Sequence, residues 1–352
     1  MMINLIGRLY LDMADYDNAE FFMKKGMALR KQVLGENHAD YAQSVNNMGA
    51  LYRNRGDFKK ARMYYEEALA LRKKILGEQH ADYAQTMNNL AELAESEGNY
   101  AVAESLYKQS IVIRKKAEGE ETTFYALSLN NLASLYVSMG KNAEAEALYR
   151  QAMAIRKKIN GEEHPDYAQS LNNIALVFDN TGRYAEAEQY YKQAIAIRKK
   201  VLGEEHPDYA QSLSNLGSLF DNMGKYREAE ILFKQALAIR KKINGEEHPD
   251  YARVLDNLAS LYNVSNDYAA AEPLYQQVIA IRKKVLGETH PDYATSLNNL
   301  GALYMVTGRY AEAEKLSKQV LQVYKQSVGE EHPDYAIALH NLGELYLSLI
   351  HI

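Results

Sequence analysis

The apolar positions of this chain recur with helical spacing. In the segment Gly161 to Leu202, Tyr167, Leu171, Ile174 and Phe178 are separated by four, three and four residues, which puts them on one face of a helix. Pro165 opens that helix, where its fixed φ and missing N–H are harmless, and Asp166 places a carboxylate at the positive helix end. Asn180, Thr181 and Gly182 read as a stop and a left-handed turn. A second helix from about Tyr184 turns Ala187, Tyr191, Ala194 and Ile195 inward and ends at Gly203.

The same pair of helices returns with a period of 42, marked by glycines 35, 77, 119, 161, 203, 245, 287 and 329. Self-similarity at such a period is the mark of a stacked array. We read residues 1–352 as one array with units at about 1–34 (partial), 35–76, 77–118, 119–160, 161–202, 203–244, 245–286, 287–328 and 329–352 (partial). Asn4, Gly7 and Tyr10 align with Asn46, Gly49 and Tyr52, so the opening residues are a repeat helix; they are too broken by polar residues for a signal h-region or a membrane span. Small residues mark the close approaches: alanine at 19, 61, 103, 145, 187, 229, 271 and 313 on second helices, and Gly or Ala at 49, 91, 133, 175, 217, 259, 301 and 343 on first helices.

The order Leu216-Gly217, Phe220, Gly224, Tyr226, Ala229, Phe233 and Ala236 resembles the tetratricopeptide repeat, and the match runs along essentially the whole chain. The extra length over the usual unit of roughly 34 residues, with HPDYAQSL-like segments, AEPLY at Ala271 to Tyr275 and the recurrent AIRKK, is similar to the longer repeat of kinesin light chains and related bacterial arrays. No heptad coiled coil accompanies it, so the likeness is to a cargo-binding repeat domain. The resemblance implies an all-α, right-handed superhelical solenoid of antiparallel helix pairs, with the first helices lining the concave wall.

Nine first helices and eight second helices are expected, with the last first helix, LGELYLSLIHI, lacking its partner. Leu345, Leu347, Leu349 and Ile350 form an apolar end where a capping repeat is normally polar. That points to truncation of a longer array, or to end-to-end contact between molecules.

One polar column stands out on the first helices. Asn47, Asn89, Asn131, Asn173, Asn215, Asn257, Asn299 and Asn341 fill it in every unit, and Asn46, Asn88, Asn130, Asn172 and Asn298 precede most of them, with Ser214, Asp256 and His340 as variants. Asparagine is a mediocre helix former, so its recurrence needs a reason beyond propensity. Each amide offers a donor and an acceptor to the backbone of an extended peptide. It equally suits a bond to the neighbouring helix that fixes the stacking, and the two roles are compatible.

A second column, Arg72, Arg114, Arg156, Arg198, Arg240 and Arg282, lies seventeen residues before the next unit's Asn. The kinesin-light-chain resemblance implies that these Arg and Asn columns contact acidic peptides carrying an aromatic or leucine anchor. Helix C-terminal charge explains the arginines as well, and it is the reading we favour for the two lysines that follow each of them. Glu92, Glu95, Asp179, Asp221 and Glu344 share the expected wall, so its charge is mixed. Thr122-Thr123-Phe124 replaces His-Pro-Asp in the third full unit, and Ser317 and Tyr324 replace an aromatic and an arginine late in the chain.

Of the 352 residues, 47% are hydrophobic and 25% charged, and the formal charge of -5 argues against a dedicated nucleic-acid binder. Without cysteine there is no disulfide framework, thiol nucleophile or cysteine metal site, which suits the cytoplasm. The histidine column, 38, 80, 164, 206, 248, 290 and 332, supplies one ring per unit; rings about two interaxial spacings of 8–10 Å apart cannot share a metal, so they read as helix-start residues. Asn263-Val264-Ser265 fits a glycosylation sequon, which without a secretory signal reads as chance.

No phosphate loop, GxSxG or HExxH occurs, and candidate catalytic residues are copies of columns rather than a unique set. We therefore expect a non-enzymatic scaffold, without cofactor, metal, nucleic acid or membrane, that binds an extended protein or peptide segment. The alternatives are a self-associating structural scaffold and a sensor or regulatory module of a larger protein.

Overall fold

The structure, a computed structural model, describes residues 2–350, with side chains to residue 348. Leu349 and Ile350 of the expected apolar end therefore have side chains outside the described residues. Among the described residues all regular structure is α-helical.

Two compact units divide the chain, Met1–Gly203 and Glu204–Ile352. The first holds α1 (Met2–Asp12), α2 (Tyr16–Leu34), α3 (Ala39–Asn54), α4 (Phe58–Leu76), α5 (Ala81–Ser96), α6 (Tyr100–Glu118), α7 (Thr123–Ser138), α8 (Asn142–Asn160), α9 (Pro165–Asn180) and α10 (Tyr184–Leu202). The second holds α11 (Pro207–Asn222), α12 (Tyr226–Asn244), α13 (Pro249–Val264), α14 (Tyr268–Leu286), α15 (Pro291–Val306), α16 (Tyr310–Ser327) and α17 (Pro333–Ile350). Odd and even helices pair within a repeat. Within each unit every even helix also packs on the odd helix that follows, and α3, α5 and α7 touch in series, as do α11, α13 and α15.

Each boundary has a local cause. His164 Nδ1 accepts the backbone N–H of Asp166 at 3.2 Å and so caps α9, while Pro165 takes the first helical position. His38, His80, His206, His248, His290 and His332 cap their helices in the same way. In the variant unit the Thr122 hydroxyl accepts from Tyr125 N–H instead. At the far end of α9, Gly182 has φ +74°, and Arg183 N–H reaches back to Phe178 C=O at 2.8 Å, the bond that closes a helix with a left-handed residue. Asn266 stands in the corresponding place after α13 with φ 64°, which asparagine tolerates.

Inside the pairs, alanines of the second helices are fully buried and large rings fill the space between backbones. Tyr65, Tyr107, Tyr149, Tyr191, Phe233 and Tyr275 are all buried. They explain the small column opposite: a Cβ at Gly49 would fall 2.5 Å from the Tyr65 ring, and one at Gly217 would fall 2.8 Å from the Phe233 ring. Burial pushes the Tyr65 phenol up to about 12.

Candidate functional site

The eight asparagines of the continuous column, Asn47 through Asn341, are all half-buried on the first helices. Their amides are used in a regular way. Asn89 Nδ2 donates to Asn46 Oδ1 at 2.9 Å, Asn173 to Asn130, Asn257 to the Ser214 hydroxyl at 3.2 Å, Asn299 to Asp256 at 3.1 Å, and Asn341 to Asn298 at 3.1 Å. The donor thus reaches back to the preceding repeat. Asn131 instead reaches Glu92 Oε1 at 3.2 Å. The first column is more deeply placed: Asn46, Asn88 and Asn172 are buried, and Asn130 and Asn298 half-buried. Asn88 donates to the Ser128 hydroxyl at 3.0 Å, one repeat onward.

At three positions the oxygen of the continuous column is held from its own helix. Gln43, Gln169 and Gln211 donate from Nε2 to Asn47, Asn173 and Asn215 at 2.7, 2.8 and 2.7 Å. The only signal of these glutamines in the sequence is their place four positions before each Asn, on the same helical face.

Behind the glutamines stand the arginines. Arg72, Arg114, Arg156, Arg198, Arg240 and Arg282 are only 1–8 % exposed. Arg198 Nη2 donates to Gln169 Oε1 at 2.5 Å, and Arg72 to Gln43. Their other nitrogens tie to the next repeat: Arg72 Nη1 to Asp82 C=O at 2.6 Å and the Thr86 hydroxyl at 2.7 Å, Arg156 to Asp166 C=O at 3.2 Å and Ser170 at 3.0 Å, Arg282 to Asp292 C=O at 3.2 Å and Ser296 at 2.6 Å. The signal of this Ser/Thr column in the sequence is the same period of 42. Burial pulls the guanidinium of Arg72, Arg114, Arg156 and Arg240 below its ordinary value, yet an arginine stays charged in a protein.

Departures from the columns are compensated locally. Val254 replaces the serine of its unit, and Arg240 pairs with the Asp250 carboxylate at 2.9 Å. Arg114 pairs with Glu118 at 3.2 Å and lies 5.1 Å over the Phe124 ring in the unit that lacks His-Pro-Asp. Tyr324, in the arginine position, is 3.0 Å from the Thr295 hydroxyl.

The acidic residues of the same helices differ in state. Glu92 accepts from Arg53 and Asn131. Burial pushes the Glu95 carboxyl up, against hydrogen bonds from Ser138 and Tyr107 that favour its charge. Burial alone pushes Asp221 up, and its Oδ1 has no hydrogen-bond partner. Among the described residues there is no cluster of three metal-ligating side chains, and no helix is long and apolar enough to cross a membrane.

The family model for the tetratricopeptide repeat matches residues 1–74, 40–116, 124–200, 180–242, 222–284, 250–306 and 292–349. No curated protein matches the chain. Among solved structures, BtubC (BKLC) from P. vanneervenii is 26% identical, with 65% of this chain and 91% of that one covered at a TM-score of 0.51. A putative kinesin light chain with nearly identical TPR-like repeats from Podospora anserina is 30% identical, covering 58% and 97% at 0.46. A Rap protein complexed with competence and sporulation factor covers 99% and 98% at 0.56 with 15% identity, a likeness of fold. The chain belongs to the tetratricopeptide-repeat family.

Proposed function

We propose that this protein binds an extended peptide or partner segment along the face of the first helices that carries the asparagine ladder, and that it does so as a cytoplasmic scaffold rather than as an enzyme. Its family is in general a non-catalytic scaffold for protein–protein interaction. The carrying observation is the state of the ladder amides. Asn173 spends one lone pair on Gln169 and one N–H on Asn130, while a carboxamide has two of each. The amide is thus fixed in orientation with hydrogen-bonding capacity left over, and half-buried asparagines recur at repeat spacing to take the polar groups of an extended backbone. The preorganisation lowers the entropic cost of binding.

Preference for acidic segments follows from the arginines at one remove. A guanidinium such as that of Arg198 lies one amide behind the ladder, so positive potential reaches Asn173 through Gln169 without an exposed basic side chain. Avidity would come from many weak contacts to successive repeats. Fluorescent acidic, aromatic-containing peptides test this reading against a variant in which ladder asparagines become alanine: binding by the native chain and its loss in the folded variant support it, and equal binding by both refutes it.

A second reading has its own observation. Met2, Leu5 and Leu9 on α1, and Met13 just after it, leave large apolar surfaces exposed, as Ile337, Leu339 and Leu347 do on α17. Such faces suit association of one molecule with another. Concentration-dependent mass in light scattering supports that reading; a constant monomer mass removes it.

A further inference from the structure

The buried rings Tyr65, Tyr107, Tyr149, Tyr191, Phe233 and Tyr275 each occupy the same position of their repeat. In the α15–α16 pair that position is Ser317. The small residue opposite, Gly301, therefore faces no ring: a Cβ built there meets only Leu316 Cβ, at 3.7 Å. A cleft of about 290 Å³ opens where the ring would be. For comparison, a cavity of about 150 Å³ is enough to hold benzene.

The lining has changed along with the ring. Gly301, Ala302, Met305 and Val306 form apolar walls. Met305 stands in the column that holds Glu95, Asp179 and Asp221 in other repeats, and a thioether packs well against an aromatic ring. Ala302 stands where Ser134 and Ser260 lie beside Tyr149 and Tyr275, in a column that holds Ala50 and Leu176 in the repeats of Tyr65 and Tyr191. The repeat has thus lost its own ring, and position 302 offers no polar group. Polar groups arrive instead from the ladder and the next helix: Asn298, Asn341 and Glu344 border the cleft, and Asn341 donates to Asn298 at 3.1 Å.

The geometry points to this cleft as a socket for a tyrosine-class side chain of the bound partner, a foreign ring taking the place that the chain's own ring takes in the other repeats. Glu344 is the acceptor available to its phenol O–H. The adjoining Asn341 and Asn298 belong to the ladder, so a backbone lying on the ladder delivers a side chain directly into the cleft. For the peptide, the inference rests on the groove reading above; the affinity of the socket for the ring does not.

The test is a 19F NMR titration of the full chain with N-acetyl-3-fluorotyrosinamide. Saturable broadening is expected, with N-acetyl-alaninamide competing at least tenfold more weakly than unlabelled N-acetyl-tyrosinamide. Ser317→Tyr restores the missing ring and is expected to weaken binding at least tenfold while far-UV circular dichroism stays native. Gly301→Leu fills the cleft from the opposite wall and is expected to do the same, so it decides the matter if Ser317→Tyr fails to fold. No broadening with the native chain, equal competition by the alanine amide, or unchanged binding in a folded variant overturns the socket. Asn173→Ala lies in the other compact unit and separates the two proposals. Peptides that ignore Asn173 while the tyrosine probe needs the cleft sink the ladder alone; the reverse pattern sinks the socket alone.

Discussion

Asn89 donates from Nδ2 to Oδ1 of Asn46 across 2.9 Å, and this bond joins the first helices of consecutive repeats. The amide proposed to grip a ligand is therefore also part of the stacking. Losing such a bond costs about 0.5–1.5 kcal/mol, so Asn89→Ala is expected to lower the denaturation midpoint modestly. Asn89→Asp is expected to lower it further at neutral pH, because a carboxylate would face the Asn46 oxygen with no donor between them. Urea titrations of the two variants check the order.

The buried arginines carry a larger structural share. Arg156→Met removes the guanidinium from Asp166 C=O and the Ser170 hydroxyl, leaving the carbonyl only the Ser170 O–H as side-chain donor, an expected loss of about 1–3 kcal/mol. Arg156→Lys is expected to recover little of it, because a single ammonium cannot reproduce the guanidinium fork. Lys200→Ala, which breaks the exposed pair with Glu163, is the control and should change stability by no more than about 0.5 kcal/mol. Calorimetry of the three variants ranks them.

Two carboxylates shift in opposite directions. For Asp221, burial raises the folded pKa, so its charged form opposes folding above that pKa and the cost is relieved as pH falls. Asp221→Asn should therefore raise the melting temperature at pH 7, with the gap to the native chain closing toward about pH 4. Burial would raise Glu20 too, but hydrogen bonds from Lys24 and Tyr52 and the charges of Lys24 and Arg55 hold it below its ordinary value. Its contribution is present above the ordinary carboxylate pKa and is lost as pH falls through the depressed one. Glu20→Gln should thus destabilise at pH 7 and have little effect in strong acid.

The histidine column makes a cap prediction. His164→Ala removes the acceptor for Asp166 N–H and is expected to cost about 0.5–2 kcal/mol, whereas His164→Thr, which copies Thr122, should cost much less. Melting curves of the two variants suffice.

Much of this was legible in the sequence because every column recurs. The spacing of Tyr167, Leu171, Ile174 and Phe178, with Pro165 before and Gly182 after, matches α9 at Pro165–Asn180. The histidines were readable as helix-start residues for the same reason. Arg-Lys-Lys at a helix end looks solvated in one dimension, and only the fold brings Ser170 and Asp166 C=O to Arg156 and buries it. The substitution at Ser317 was visible as a departure, but its consequence needed Gly301 and the neighbouring helix in space. Whether the ladder also grips a ligand is a question of spare hydrogen-bonding capacity, which no sequence column records.

The most direct measurement of the central claim is binding of a fluorescent library of acidic, aromatic-containing peptides to the native chain and to a variant carrying Asn173→Ala, Asn215→Ala and Asn257→Ala, with helicity checked in both. The account predicts saturable binding by the native chain and at least a tenfold loss in the folded variant. Equal binding by the folded variant, or no binding by either protein, would contradict it and leave the ladder as stacking architecture.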